Sequence, residues 1–381
     1  MELQKKINVA LISPGKGVYS ETFIKAQVDL LPFRMYHYSN ESIQSTLKSK
    51  KAFLNAVILL KCAYQILIKH SKLKGIWFQN RILHSLRKDK IDVVLAQYGP
   101  VGEVFSDICV KLGLPLIVHF HGYDASNESV IKGNKNYINL FRKAAVIIAV
   151  SRAMEKKLLA LGCPRFKLIY NVFGPNDSFL EIKSTFNCKT FIGIGRFIDK
   201  KAPYYTIIAF SKVIKRFPEA RLIIAGDGFL WNTCKNLVRY LGIEYAVELP
   251  GSIQPEDFRN YLKSSWAFVQ HSIIAESGDS EGTPVGILEA SAAGLPIIST
   301  KHAGIKDVIM DGETGLLVDE HDVNGMSAAM IQILENKELA QKLGAAGKKN
   351  IKENFSMQNY INKLSKAIEG AYLSNKKNLL Q

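Results

Sequence analysis

Short β-branched runs alternate with longer stretches of helical periodicity along the whole chain. In the first half, runs at 7–13, 91–97, 116–119, 145–150 and 166–170 are predicted strands. Helical patterns lie near 20–31, 51–70, 76–88, 101–112, 133–143 and 151–161. The second half repeats the alternation, with strands at 190–194, 220–225, 246–249, 267–271, 296–300 and 314–318, each followed by a helical segment. Strands that alternate with helices build parallel sheets covered on both faces. Around 174–188 the chain turns polar and broken, through Gly174-Pro175-Asn176-Asp177 and Lys183-Ser184-Thr185, the pattern of an interdomain hinge. From Ser356 an amphipathic Lys- and Asn-rich tail predicts a helix. No repeat of solenoid length is evident. The expected division is 1–182, 183–355, and a terminal helix over 356–381 that returns towards the first domain.

A length of 381 residues exceeds one ordinary hydrophobic core, which also asks for two domains. Hydrophobic residues at 47% against 22% charged exclude a disordered chain. Five cysteines, Cys62, Cys109, Cys163, Cys188 and Cys234, stand singly and read as buried thiols of a reducing compartment. The apolar run 7–12 behind Lys5 and Lys6 is short for a secretory signal and reads better as a strand. Without an apolar run of ~18 residues there is no expected membrane span, and the expected place is the cytoplasm. Charge is divided unevenly. Residues 1–185 carry 27 Lys and Arg against 13 Asp and Glu, +14, and the remainder carries 23 against 21, +2. A basic half of this kind faces a polyanion, such as an anionic lipid surface or nucleic acid. Residues 48–74 read equally as a basic helix in the membrane interface and as a buried core helix with solvated lysines.

The candidate chemistry follows predicted strands, where open parallel sheets bind ligands. Gly278-Asp279-Ser280-Glu281-Gly282-Thr283-Pro284-Val285-Gly286-Ile287-Leu288-Glu289 is a loop leading into a helix. Thr283 suits its N-cap, Pro284 its first position and Gly294 its C-terminal stop. A helix N-terminus beside Gly282 offers backbone N–H groups to an anion or a sugar hydroxyl. Glu281 and Glu289 place two carboxylates there, which suits a sugar centre that develops positive charge. Alone, this would be a capped helix with two solvated acids. It is accompanied by Gly195-Arg196 with Lys201 five residues on, a pair of cations fit to clamp a diphosphate. Two further turns, Gly226-Asp227-Gly228 and Gly251-Ser252-Ile253, also follow strands.

These elements resemble glycosyltransferase family 4, the large retaining GT-B family, over about 190–320. Its G-R-x4-K-G, G-x-G, P-G and E-G-x-P-x4-E elements match Gly195, Arg196 and Lys201; Gly226 and Gly228; Pro250 and Gly251; and Glu281, Gly282, Pro284 and Glu289. Ala202 stands where the family has glycine. The resemblance implies an α/β GT-B fold of two facing Rossmann-like domains, with the cleft between them. It implies that Arg196 and Lys201 bind the donor diphosphate, Glu281 the donor sugar and Glu289 the ribose. The backbone of Gly282, Thr283, Pro284 and Val285 would meet sugar or phosphate, and Gly251, Ser252 and Ile253 the base. No metal or other cofactor is implied, only a nucleotide diphosphate sugar as co-substrate.

In the first half, Gly15 and Gly17 lie in a loop after the first strand, and by resemblance face the donor diphosphate. The wording Ser20-Glu21-Thr22-Phe23-Ile24 resembles the branch that builds colanic-acid-type exopolysaccharides and lipopolysaccharide cores. His119-Phe120-His121-Gly122-Tyr123-Asp124 resembles the family's H-G-x-D element. Two histidines without a third ligand do not make a metal site. By resemblance His121 belongs to the catalytic centre. His119 and Asp124 are acceptor-side candidates, Asp124 as a group that orients either His121 or the acceptor. The expected reaction is retaining transfer of a hexose from a nucleotide sugar to a glycan or polyprenyl-linked glycan, at a membrane-facing surface and without nucleic acid. The alternatives weighed are a sugar-nucleotide epimerase on the same two-lobed plan, and a nucleic-acid-binding protein. The epimerase needs no acceptor pocket, and the nucleic-acid reading leaves the donor elements unexplained.

Overall fold

The computed structural model describes residues 6–14, 22–39 and 72–380. The predicted helix over 51–70, nearly all of 48–74, and the loop with Gly15 and Gly17 lie outside the described residues. Twelve strands form two parallel sheets among the described residues. The first contains β1 (Asn8–Ile12), β2 (Arg34–Tyr38), β3 (Val93–Gln97), β4 (Leu116–His119), β5 (Val146–Ala149) and β6 (Leu168–Tyr170), in the order β2-β1-β3-β4-β5-β6. The second contains β7 (Thr190–Ile194), β8 (Arg221–Ala225), β9 (Val247–Gly251), β10 (Ala267–Gln270), β11 (Ile297–Thr300) and β12 (Gly315–Val318), in the order β12-β11-β10-β7-β8-β9. These are the two facing α/β units of a GT-B fold. The chain reverses direction across the sheet between β1 and β3 and again between β7 and β10. Such switch points open a crevice at the strands' carboxyl ends.

The apolar runs become strands because they are buried on both faces, as parallel sheets require. Every residue of β1, β3 and β4 is buried. β2 escapes the sequence reading for the opposite reason. Its Arg34-Met35-Tyr36-His37-Tyr38 sits at the sheet edge, half-exposed, and carries no apolar run. The single helix expected over 133–143 is broken into Glu128–Gly133, a turn Lys135–Tyr137 and Ile138–Lys143. Lys135, Asn136 and Tyr137 all take positive φ there. That kink sends the Tyr137 hydroxyl to the Asp124 carbonyl at 2.8 Å. Cys109, Cys163 and Cys234 are buried thiols, but Cys188 is exposed in the linker, contrary to the uniform expectation. No helix among the described residues is long and apolar enough to cross a membrane.

Between β6 and β7 the linker carries only the turn Asp177–Phe179. The last helix, Met357–Leu380, starts against this linker: a Cβ on Gly174 would lie 2.3 Å from the Met357 Cα. Its Tyr360 carbonyl accepts from Asn171 Nδ2 at 3.1 Å, and Asn375 donates to the Gly113 carbonyl at 2.8 Å. The terminal helix therefore lies along the first sheet's unit.

Ala202 follows the turn Asp199–Lys201 and stands at φ 37°, ψ 51°, fully buried. Its amide donates to Asp199 O at 3.0 Å, closing the turn that carries Lys201 into the site. An L side chain is strained in this left-handed region, and a β-branched one most of all. Ala202→Gly is therefore expected to stay within about 1 kcal/mol of wild type. Ala202→Val is expected to lose about 2 kcal/mol or more. Urea unfolding of the three proteins would show it, and equal midpoints for Val and Ala would contradict the strain.

Candidate active site

The two switch points face each other across a cleft of about 1010 Å³. Its second-lobe wall holds Gly195, Arg196, Gly226, Gly228, Ser252, Ile253, Val285 and Glu289. Its opposite wall is the first helix, Thr22–Leu30, with Lys25 and Asp29 on the lining. Gly226 is required where it stands, because a Cβ there would lie 1.8 Å from the Gly195 carbonyl oxygen. Arg196 is exposed on this lining and has no ion-pair or hydrogen-bond partner for its guanidinium among the described residues. Gly251 turns the chain at φ 79° and its carbonyl accepts from Gly226 N at 2.7 Å.

Glu289 lies on the helix Val285–Ala292 with its carboxyl unpartnered among the described residues. Burial pushes it up to about 8. In this state it is a protonated carboxyl at neutral pH, able to donate as well as accept.

Glu281 and Lys201 meet one layer deeper. Lys201 Nζ stands 3.2 Å from Glu281 Oε1, with the two side chains 16% and 8% exposed. The contact is an ion pair, and Oε1 is buried without a hydrogen-bond partner among the described residues. Burial alone would raise the Glu281 carboxyl, but Lys201, then Lys200 and His302, hold it below the ordinary carboxylate range. Burial lowers the Lys201 ammonium, against the pull of Glu281. The sequence reading missed Lys200. Its Nζ donates to Asp279 Oδ1 at 2.9 Å and to the Ser280 carbonyl at 3.1 Å, holding the loop shut from behind. The loop's end is fixed by His302, whose Nε2 accepts the Glu281 amide at 3.1 Å and whose Nδ1 lies 2.6 Å from Glu320.

Glu281's loop is also where the lobes touch. Ser280 N donates to Ser126 Oγ at 3.0 Å, and Glu128 N to the Ser277 carbonyl at 3.1 Å. A Cβ on Gly282 would stand 2.3 Å from the His121 carbonyl oxygen, so only glycine allows this approach. Thr283 is not the N-cap expected of it. Pro284 occupies that position, with no side-chain cap. The Thr283 hydroxyl donates to Val150 O of the other lobe at 2.7 Å, because the interlobe carbonyl takes the bond that capping would use.

His121 sits at this contact. Phe23 and Phe173 stack on its ring at 4.6 Å and 5.7 Å, and the Tyr98 ring lies tilted against it at 4.4 Å. Tyr98 holds φ 73°, ψ 140°, a strained backbone next to the site. Burial, then the neighbouring His119, pushes the His121 imidazole well below its usual range, so the ring is neutral. His119 and Asp124 are fully buried behind it and do not reach the cleft as acceptor-side groups. Asp124 spends its carboxylate on the amides of Gly99, His121 and Gly122, each at 2.9 Å, and so shapes the turn that presents His121. No group of three or more His, Cys, Asp or Glu among the described residues is placed to hold a metal ion.

Residues 181–350 match the model for glycosyl transferases group 1, and residues 47–173 match glycosyltransferase family 4. The glycosyltransferase WcaL, assigned to colanic acid biosynthesis in Escherichia coli K12, is 27% identical over 278 residues, 71% of this chain and 68% of that protein. The amylovoran biosynthesis glycosyltransferase AmsK of Erwinia amylovora is 26% identical over 285 residues, 73% and 70% of the two chains. The crystal structure of Anabaena HepE with UDP-glucose superposes with a TM-score of 0.77 at 15% identity, covering 96% of this chain and 100% of that one, a likeness of fold. The matches favour neither an epimerase nor a nucleic-acid-binding protein.

Glu289 makes stability pH-dependent. The folded protein keeps this proton up to about pH 8, whereas the unfolded chain releases it near ~4.3. Between these values the folded state binds the extra proton, so stability falls as pH rises through the window. Glu289→Gln removes that loss. Its urea midpoint, relative to wild type, is expected to climb between about pH 5 and about pH 9. A constant difference would show that the carboxyl titrates normally.

Proposed function

We propose that this chain, a group 1 glycosyltransferase of the GT-B fold, takes a hexosyl unit from a nucleoside diphosphate sugar and passes it to a hydroxyl with retained anomeric configuration. The observation that carries this reading is the placement on one cleft wall of Arg196 and Glu289, both without a side-chain partner among the described residues, with the buried Lys201–Glu281 pair packed behind Gly195 of that wall.

Each group has a part that its environment suits. Arg196 and Lys201 neutralise charge on the departing diphosphate, a role that needs no divalent metal. The depressed Glu281 is an anion, suited to a sugar centre gaining positive charge and unsuited to donating a proton. Attack then comes from the leaving-group face, with the departing phosphate accepting the hydroxyl proton. Glu289 holds ribose hydroxyls, and the turn at Gly251, Ser252 and Ile253 the base. His121 contacts the sugar or the acceptor hydroxyl. The acceptor is a growing surface polysaccharide or its polyprenyl-linked precursor, supported by the relatives named for colanic acid and amylovoran synthesis. The +14 charge of residues 1–185 supports peripheral contact with an anionic membrane on the cytoplasmic side.

The test is slow hydrolysis of candidate nucleotide sugars by the purified protein without acceptor. One donor is expected to release its nucleoside diphosphate, and Glu281→Ala and Arg196→Ala are each expected to slow that release by about 100-fold or more. Donor turnover unchanged in both variants, or binding of no nucleotide sugar at all, would sink the proposal.

A further inference from the structure

A chain of amide side chains runs behind His121 and ends on the C-terminal helix. Gln97, the last residue of β3, is fully buried. Its Oε1 lies 3.0 Å from His121 Nε2. Its Nε2 donates to Gln27 Oε1 at 2.6 Å. Gln27, fully buried on the first helix, donates from its own Nε2 to the Tyr360 hydroxyl at 2.6 Å and approaches His119 Nδ1 at 3.2 Å.

A carboxamide has a donor end and an acceptor end. In the orientation the structure shows, Gln97 donates to Gln27, the end left for His121 is an acceptor, and Nε2 of the ring carries the hydrogen. One flipped amide would set two acceptors or two donors against each other in a buried place, at the cost of an unsatisfied group. The members therefore turn together or not at all. His121 Nδ1 is buried and is the ring atom left without a hydrogen-bond partner among the described residues.

We infer that Gln97 is a positioning residue that fixes His121 as the Nε2–H tautomer, through a hydrogen-bonded chain anchored at Tyr360, and leaves Nδ1 as the lone-pair atom of the ring. The ring is neutral over the working range, so the tautomer decides whether that atom accepts or donates. The anchor also has a consequence for the two-lobed design. Tyr360 follows the linker crossing by only three residues from Met357, so the helix that returns to the first lobe completes the support of a histidine at the interlobe contact. This inference rests on the reading of His121 as a group that touches substrate.

Nitrogen-15 spectra of histidine-labelled full-length protein report the tautomer directly, with the His121 resonances identified by their loss in His121→Ala. Wild type is expected to show Nε2–H with bare Nδ1. Gln97→Leu is expected to give a mixture of tautomers and to lower kcat about ten-fold, with the donor KM changed less than about two-fold. Tyr360→Phe, which touches neither ring nor cleft, is expected to shift the same resonances in the same direction. Wild type with Nδ1–H, or Gln97→Leu with an unchanged tautomer or unchanged kcat, would overturn the inference. The spectrum reads the tautomer whether or not sugar is transferred, so its failure is distinct from failure of the transferase reading.

Discussion

The buried pairing of Glu281 with Lys201 is the constraint around which the rest is arranged. A carboxylate only 8% exposed is costly unless positive charge stands close to it. Lys201 supplies that charge without satisfying Oε1 as a hydrogen bond. The site thus holds an anion that is electrically compensated but chemically uncommitted. Keeping it so takes a loop held on every side: by Lys200 from behind, by His302 and Glu320 at its end, and by Ser126 and Glu128 from the opposite lobe.

The loop ties catalytic geometry to lobe geometry. Gly282 presses against the His121 carbonyl and Thr283 gives its hydroxyl to Val150, so the placement of the donor carboxylate and the seating of one lobe on the other are one set of contacts. Positive-φ backbone marks the same region on both sides, at Tyr98 under the histidine and at Ala202 after the lysine. Such conformations persist where surrounding packing over-determines them, and both residues are buried.

Much of the fold was legible because strands inside a parallel sheet are apolar on both faces. Eleven of the twelve strands, the half-exposed edge strand β9 among them, are marked by apolar or β-branched runs, and β2 was lost because Arg34–Tyr38 carries none. Candidate residues at glycine-marked strand ends were also legible: Arg196, Lys201, Glu281 and Glu289 were read from local spacing with a family resemblance, and the structure gathers them at one cleft and its floor. Gln27, Gln97 and Tyr360 carried no such signal. Gln97 is a single polar residue ending an apolar strand, and its partners lie 70 positions before it and, through Gln27, 333 beyond that residue.

The sequence by itself determined what depends on neighbours along the chain: strand and helix periods, the glycines that let backbone approach, and the charge asymmetry of the halves. Tertiary structure alone decided which polar atoms are spent and which are free. Of the two parts open to Asp124, acceptor contact or orienting His121, three amides commit it to the second, Thr283 looked like a cap and became an interlobe bond, and His121 was left one nitrogen without a partner among the described residues. The reason is physical. A buried donor or acceptor must find a partner wherever the fold offers one, and those partners are brought close by packing between segments that are remote in the chain.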